Sequence, residues 1–469
     1  MSERQFDVVI LGAGPAGEVC AGRLGESGLS VAIVEPHLIG GECSFYACMP
    51  SKALLRPGEL LAEARRIPGV REAVTGNLDV RSVLDRRDEI IHGLDDSHME
   101  PWLTDRGVAI VRGAGRLDGE RRVRVGDEVL VARRAVIVST GSAPRIPPIP
   151  GLEDVKHWTN REATTAEEVP ERLVILGGGV VGVEMAQAYA SFGSRVSLVE
   201  GGDRLIAREE PFASEDVRAA LQEKGVDVHL DQLASAVRVE DGEVVVELKS
   251  GAGPLRGEQV LVATGRKLNT TDIGLESVGL EPGKPVEVDN KMRANDWLYA
   301  IGDANGRALL THMGKYQARV AADVILGEES SCLISDGGQS PRVIFTDPQV
   351  AAVGYTVAAA REAGLNVRVA DVPTQSAAGA SFYGRDDAPG TTRFVIDEDR
   401  RVIVGATFTG PEVAEFLQAA TVAVIGEVTL ERLFHAIPAF PTRSEVWLYL
   451  LEQLGVSGPC YPMLAQQPA

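Results

Sequence analysis

Two cysteines stand five positions apart in the stretch Gly40-Gly41-Glu42-Cys43-Ser44-Phe45-Tyr46-Ala47-Cys48-Met49-Pro50-Ser51-Lys52. If this stretch opens a helix, the C-x4-C spacing places the sulfurs about one turn apart, within reach of a disulfide. A helix N-terminus also lowers a thiol pKa, which suits a cysteine that must attack. Zinc is the competing chemistry, but no second Cys/Cys or Cys/His group at ligand spacing occurs in the chain, so no metal site is expected. The other three of the five cysteines, Cys20, Cys332 and Cys460, lack such a setting and read as structural thiols.

The elements around this pair repeat. Phe6 to Leu11 leads as a strand into Gly12-Ala13-Gly14-Pro15-Ala16-Gly17, then a helix to about Gly28 and a strand Val31 to Val34 ending at Glu35. Leu173 to Leu176 leads into Gly177-Gly178-Gly179-Val180-Val181-Gly182, a helix through Tyr189 and a strand Val196 to Val199 ending at Glu200. Each acid follows its first glycine by 23 positions. With 51 glycines, about 0.6 G-x-G-x-x-G matches are expected by chance, so the flanking strands and the matched carboxylates carry the inference. Gly12, Gly14 and Gly17, like Gly177, Gly179 and Gly182, let a backbone turn tightly and approach a pyrophosphate at the positive end of a helix. Glu35 and Glu200 would accept ribose hydroxyls. Two such units imply two dinucleotides and electron transfer between them. Glu200 would repel a 2′-phosphate, which favours NADH; Arg195 and Arg204 nearby leave NADPH open.

Length and charge bound the rest. The 469 residues suit about three domains. A net charge of −20 repels phosphate backbones and anionic headgroups, which argues against nucleic-acid and membrane partners. No uninterrupted run reaches the ~20 apolar residues of a membrane span, and the N-terminus has no cationic leader pattern, so a cytoplasmic protein is expected.

In this order, the first glycine fingerprint, Cys43-x4-Cys48-x-Pro50-Ser51-Lys52 and the second fingerprint resemble the flavoprotein disulfide reductases, in the branch of dihydrolipoyl dehydrogenase, glutathione reductase, mercuric reductase and soluble transhydrogenase. Ser139-Thr140-Gly141 and Ala263-Thr264-Gly265-Arg266 look like the two crossings between nucleotide domains, and Tyr299-Ala300-Ile301-Gly302-Asp303 like the second FAD motif, whose aspartate binds ribitol. The resemblance implies an α/β fold with two Rossmann-like domains, FAD-binding at 1–150 and 283–335 and NAD(P)H-binding at 151–282, plus a C-terminal α+β dimerisation domain at 341–469. It implies a homodimer that passes electrons from NADH through FAD to a redox disulfide. Cys48 would face the flavin, Cys43 would meet the substrate, and Lys52 near the flavin would pair with Glu184.

The pattern breaks near the end. Many members carry His-Pro-Thr-x-Ser-Glu, in which the histidine takes and returns a thiol proton and the glutamate orients it. Here the stretch is Phe440-Pro441-Thr442-Arg443-Ser444-Glu445, so Phe440 stands at the place of the base and Glu445 has lost its partner. A general base is typically worth 10² to 10⁴ in rate. The expected acceptor is therefore one that does not need it: a quinone, a metal ion or an activated disulfide. A disulfide or dihydrolipoamide reductase with another base is the alternative, with His435 on the preceding helix as a weak substitute, and a redox-sensing flavoprotein without turnover is the second. Phe45 and Tyr46 are larger than the usual residues between the cysteines and are expected to pack as a buried aromatic pair.

Overall fold

The computed structural model describes residues 2–332, 339–383 and 390–456. The chain divides into two compact units, one formed by 1–58, 77–203 and 224–337, the other by 59–76, 204–223 and 338–469.

In the first unit, β1 (Ser2–Leu11), α1 (Pro15–Glu26) and β2 (Val31–Glu35) build a βαβ crossover. The strands pair in parallel, with Val8 opposite Val31 and Ile10 opposite Ile33. Their β-branched residues are almost wholly buried, as expected of a parallel strand covered on both faces. β1 also pairs with Glu128–Val138, and Leu298–Ala300 joins the far side of that strand. The late segment therefore completes the first sheet. The helix Thr311–Leu326 packs on α1, where a Cβ added to Gly314 would come within 3.2 Å of the Ala16 Cβ.

A second parallel sheet holds Asp227–His229, Arg195–Val199, Arg172–Leu176 and Gln259–Val262 in that order. The helix Val180–Ser191 follows its glycine turn. The two crossings run into a two-stranded antiparallel ribbon, Ser142–Pro144 against Arg266–Leu268.

The second unit is built on a five-stranded antiparallel sheet, in the order Arg342–Ile344, Gln349–Gly354, Val402–Gly410, Thr391–Asp397 and Val367–Pro373. Helices Leu417–Ile425 and Val446–Gln453 contribute to its core, where Trp447 meets the Phe394 ring edge-on at 4.7 Å. Among the described residues no helix is long and apolar enough to cross a membrane, and no group of three His, Cys, Asp or Glu could hold a metal ion.

Candidate active site

The two glycine turns are near copies. Gly12 and Gly177 have φ of +101° and +110°, a left-handed region that glycine enters without steric cost. A Cβ on Gly17 would lie 2.0 Å from the Gly12 carbonyl oxygen, and one on Gly182 would lie 1.9 Å from that of Gly177. The third glycine is thus required by the turn itself. Gly14 and Gly179, by contrast, face open space, with no atom within 4 Å of a Cβ position, in front of the helix N-termini. Glu35 accepts backbone N–H bonds from Ala13 and His37, both at 2.8 Å; Glu200 accepts them from Gly178 at 2.6 Å and Gly202 at 2.7 Å. Two bonds use half of a carboxylate's roughly four acceptor positions, leaving the rest for ribose hydroxyls.

Three further features fit a flavin dinucleotide at the first turn. Thr140 Oγ1, in the crossing whose backbone presses on Gly12, is buried without a hydrogen-bond partner. Gly141 and Gly265, one in each crossing, take positive φ of +69° and +122°. Asp303, whose carboxyl burial pushes above the ordinary range, receives the Ser142 hydroxyl at 2.5 Å, and Arg266 donates to the same serine at 2.6 Å. The residues present thus fit FAD at Gly12, Gly14, Gly17, Glu35 and Asp303, and a nicotinamide dinucleotide at Gly177, Gly179, Gly182 and Glu200.

The dithiol segment is not one helix. Cys43 lies in α2 (Gly41–Phe45), the chain breaks at Tyr46 and Ala47, and Cys48 opens α3 (Cys48–Arg66). The one-turn geometry expected from the spacing is replaced by two helix ends that bring the thiols into hydrogen-bond contact. Both sulfurs are half-buried free thiols. The Cys43 thiol donates to Cys48 and so holds the Cys48 thiolate well below the usual thiol range, against burial and with help from Thr311 and the Lys52 charge. The same contact, together with burial, pushes Cys43 up. Thr311 Oγ1 is 3.4 Å from Cys48 Sγ.

Lys52 lies one turn along α3 from Cys48, and its Nζ meets Glu184 Oε2 at 2.6 Å, joining the dithiol helix to the second dinucleotide unit. The segment is also clamped from the side. Arg161 pairs with Glu42 and covers the Tyr46 ring at 4.8 Å, while Asn160 and Thr164 donate to the Tyr46 carbonyl at 2.9 and 3.0 Å. Phe45 is buried, but Tyr46 lies under a guanidinium, so the expected buried aromatic pair does not form. Arg195 is engaged by Glu171 at 2.7 Å.

Phe440 and Glu445 belong to the second unit. Phe440 is 76% exposed; Glu445 is 8% exposed, with its Oε2 buried and without a hydrogen-bond partner. His435 follows the short helix Leu430–Leu433 in an exposed turn, not on the helix as expected. Cys20 is fully buried and Cys332 packs against the first core; Cys460 lies outside the described residues. Thr311, Arg161, Asn160 and Ser142 were not anticipated. Only Ser142, directly after the first crossing, had a signal in the sequence.

Residues 6–322 match the family described as Pyridine nucleotide-disulphide oxidoreductase, and residues 340–450 match its dimerisation domain. The dihydrolipoyl dehydrogenase of Chlamydia muridarum is 31% identical over 94% of this chain and 95% of its own. The mercuric reductase of Acidithiobacillus ferrooxidans is 32% identical over 94% of this chain and 81% of its own. Among solved structures, LpdA from Mycobacterium tuberculosis superposes with a TM-score of 0.84 at 25% identity, covering 97% of this chain and all of that one. A Cu(II) complex of the HOCl-induced flavoprotein disulfide reductase RclA from Escherichia coli shares the fold, with the same TM-score at 24% identity over 96% and 99%. The chain belongs to the pyridine nucleotide-disulphide oxidoreductase family, whose members are enzymes that use FAD and NAD(P)H.

Proposed function

We propose that this protein is a homodimeric, cytoplasmic NADH oxidoreductase that reduces a small-molecule acceptor through the Cys43 and Cys48 dithiol. Bound flavin would supply the two-electron link between nicotinamide and dithiol. The observation that carries the proposal is the Lys52–Glu184 ion pair one turn from Cys48, which ties the dithiol helix to the nucleotide unit bearing Glu200. Lys52 and the Cys43 hydrogen bond hold Cys48 as a thiolate, and Cys43 is left as the thiol that meets the acceptor. With Phe440 at the place of the family base, the acceptor is one whose reduction draws nothing from that side chain: a quinone, a metal ion or an activated disulfide. Support for the acceptor being other than lipoamide rests on this substitution.

Steady-state NADH oxidation with a quinone, ferricyanide, lipoamide, oxidised glutathione and Hg(II) tests the proposal. Turnover with at least one acceptor that Cys43→Ser abolishes is the expected outcome. Full turnover in Cys43→Ser with every active acceptor would remove the dithiol from the path.

A further inference from the structure

The short helix α2 is pinned at both ends by another short helix, Asn160–Thr165. At its start, one oxygen of the Glu42 carboxylate accepts Asn160 Nδ2 at 3.0 Å and the other accepts the Arg161 guanidinium. At its end, the Tyr46 carbonyl accepts the same Asn160 amide at 2.9 Å and the Thr164 hydroxyl at 3.0 Å. Cys43 lies between the two pins, and Cys48 opens α3 two residues beyond the second.

The bracketing helix has only six residues, too few to hold by itself in water, so it must be fixed in turn. A Thr159–Glu162 capping box closes its first turn. At its other end the Tyr189 hydroxyl donates to the Ala163 carbonyl at 2.7 Å, and Arg87 donates to the carbonyls of Thr164 and Ala166. Arg87 is 1% exposed, and burying a guanidinium so deeply is costly unless its donors are used. Glu42 also faces the Asp303 side of the site. Arg266 Nη2 stands 3.7 Å from Glu42 Oε2, while the same guanidinium donates to Ser142, the serine that bonds to Asp303.

We infer that Glu42 is a positioning residue for the dithiol: through Asn160 and Arg161 it holds Cys43 at the place from which its bond to Cys48 closes. The inference rests on the proposed role of the dithiol. When the bond closes, the Cys43 thiol gives up its proton and the two sulfurs pass two electrons to the acceptor. Two thiols held in a fixed relation react as if at high concentration, and loosening either one makes the disulfide less favourable.

The test reads that equilibrium directly. The holoenzyme is equilibrated without oxygen against mixtures of reduced and oxidised dithiothreitol, free thiols are trapped with iodoacetamide, and the Cys43–Cys48 disulfide fraction is read by mass. In this exchange two electrons and two protons pass from the protein dithiol to oxidised dithiothreitol. Glu42→Ala and Arg161→Met are each expected to lower the constant for disulfide formation roughly tenfold, the scale of one charged hydrogen bond. The double variant should fall no further, since the two side chains act as one contact. Glu42→Gln keeps an acceptor oxygen and should recover part of the loss; it carries the comparison if Glu42→Ala does not retain flavin. A constant unchanged in both Glu42 variants, with Cys43→Ser abolishing turnover, overturns the inference and leaves the dithiol reading standing. Losses that add in the double variant also overturn it. If Cys43→Ser turns over fully with every active acceptor, the dithiol reading falls whatever the Glu42 variants show.

Discussion

The two glycine turns differ by less than 10° in the φ of their first glycine and by 0.1 Å in the close approach of their third, yet their surroundings differ. The shared features are those that backbone geometry demands: a left-handed first glycine, a third glycine against its carbonyl, and a carboxylate that ties down the turn. The differences lie in side chains free of that demand. The first turn abuts the dithiol segment and follows its third glycine with Glu18; the second follows it with Val183 and then Glu184, which reaches Lys52. The two cradles are thus alike, while the positions beside them carry different chemistry.

Breaking each cradle in turn should give the largest effects. In Gly17→Ala a Cβ meets a backbone oxygen that cannot move away, so the purified protein is expected to lose its yellow chromophore, read as absorbance near ~450 nm per polypeptide. Gly182→Ala carries the same clash in the other unit and should retain flavin while weakening NADH binding by roughly 10²-fold, read by titration. Flavin loss from both variants alike would erase the functional distinction between the turns.

A finer cut compares the carboxylates. Glu200→Ala should relax the preference for NADH over NADPH by about tenfold, the scale of one charged hydrogen bond, measured as the ratio of kcat/KM values. Glu35→Ala should leave that ratio unchanged. A preference unaltered in Glu200→Ala would show that Glu200 only braces its own turn.

Glu18 offers a test read in stability. Its folded-state pKa lies near 7, above the ordinary carboxyl value of 4.5, so the folded state holds its proton more tightly. That contribution is complete below about pH 4.5 and is lost as the pH rises through 7. Glu18→Gln should therefore melt like wild type at low pH and gain above pH 7 by up to about 3 kcal/mol, seen as a Tm difference that grows with pH. An equal shift at all pH values would place Glu18 in solvent.

What could be read in the linear sequence follows the same division. The βαβ repeat was legible because strand, turn and helix lengths are set by local backbone geometry, and Glu35 and Glu200 follow at a spacing that geometry imposes. The five-stranded sheet of the second unit falls within the α+β domain expected at 341–469, although its strand order was not legible. The C-x4-C segment misled, since its local pattern fits one helix while the chain breaks at Tyr46, where Asn160 and Thr164 capture the carbonyl from 114 and 118 positions away. Thr311 was invisible for a related reason. It reaches Cys48 only because its helix packs on α1, and no periodicity near Cys43 records that contact.

The two-stranded ribbon at the crossings has a mechanical consequence. Ser142–Pro144 and Arg266–Leu268 are laddered together, Arg145 and Thr264 exchange further bonds at 3.1 Å, and Arg266 grips the serine that holds Asp303. A single tether lets the parts it joins swivel freely, but two cross-laced tethers resist torsion and yield mainly by bending. Any bending of this ribbon would act on Arg266 and, through it, on the hydrogen-bond chain that ends at the Asp303 carboxyl.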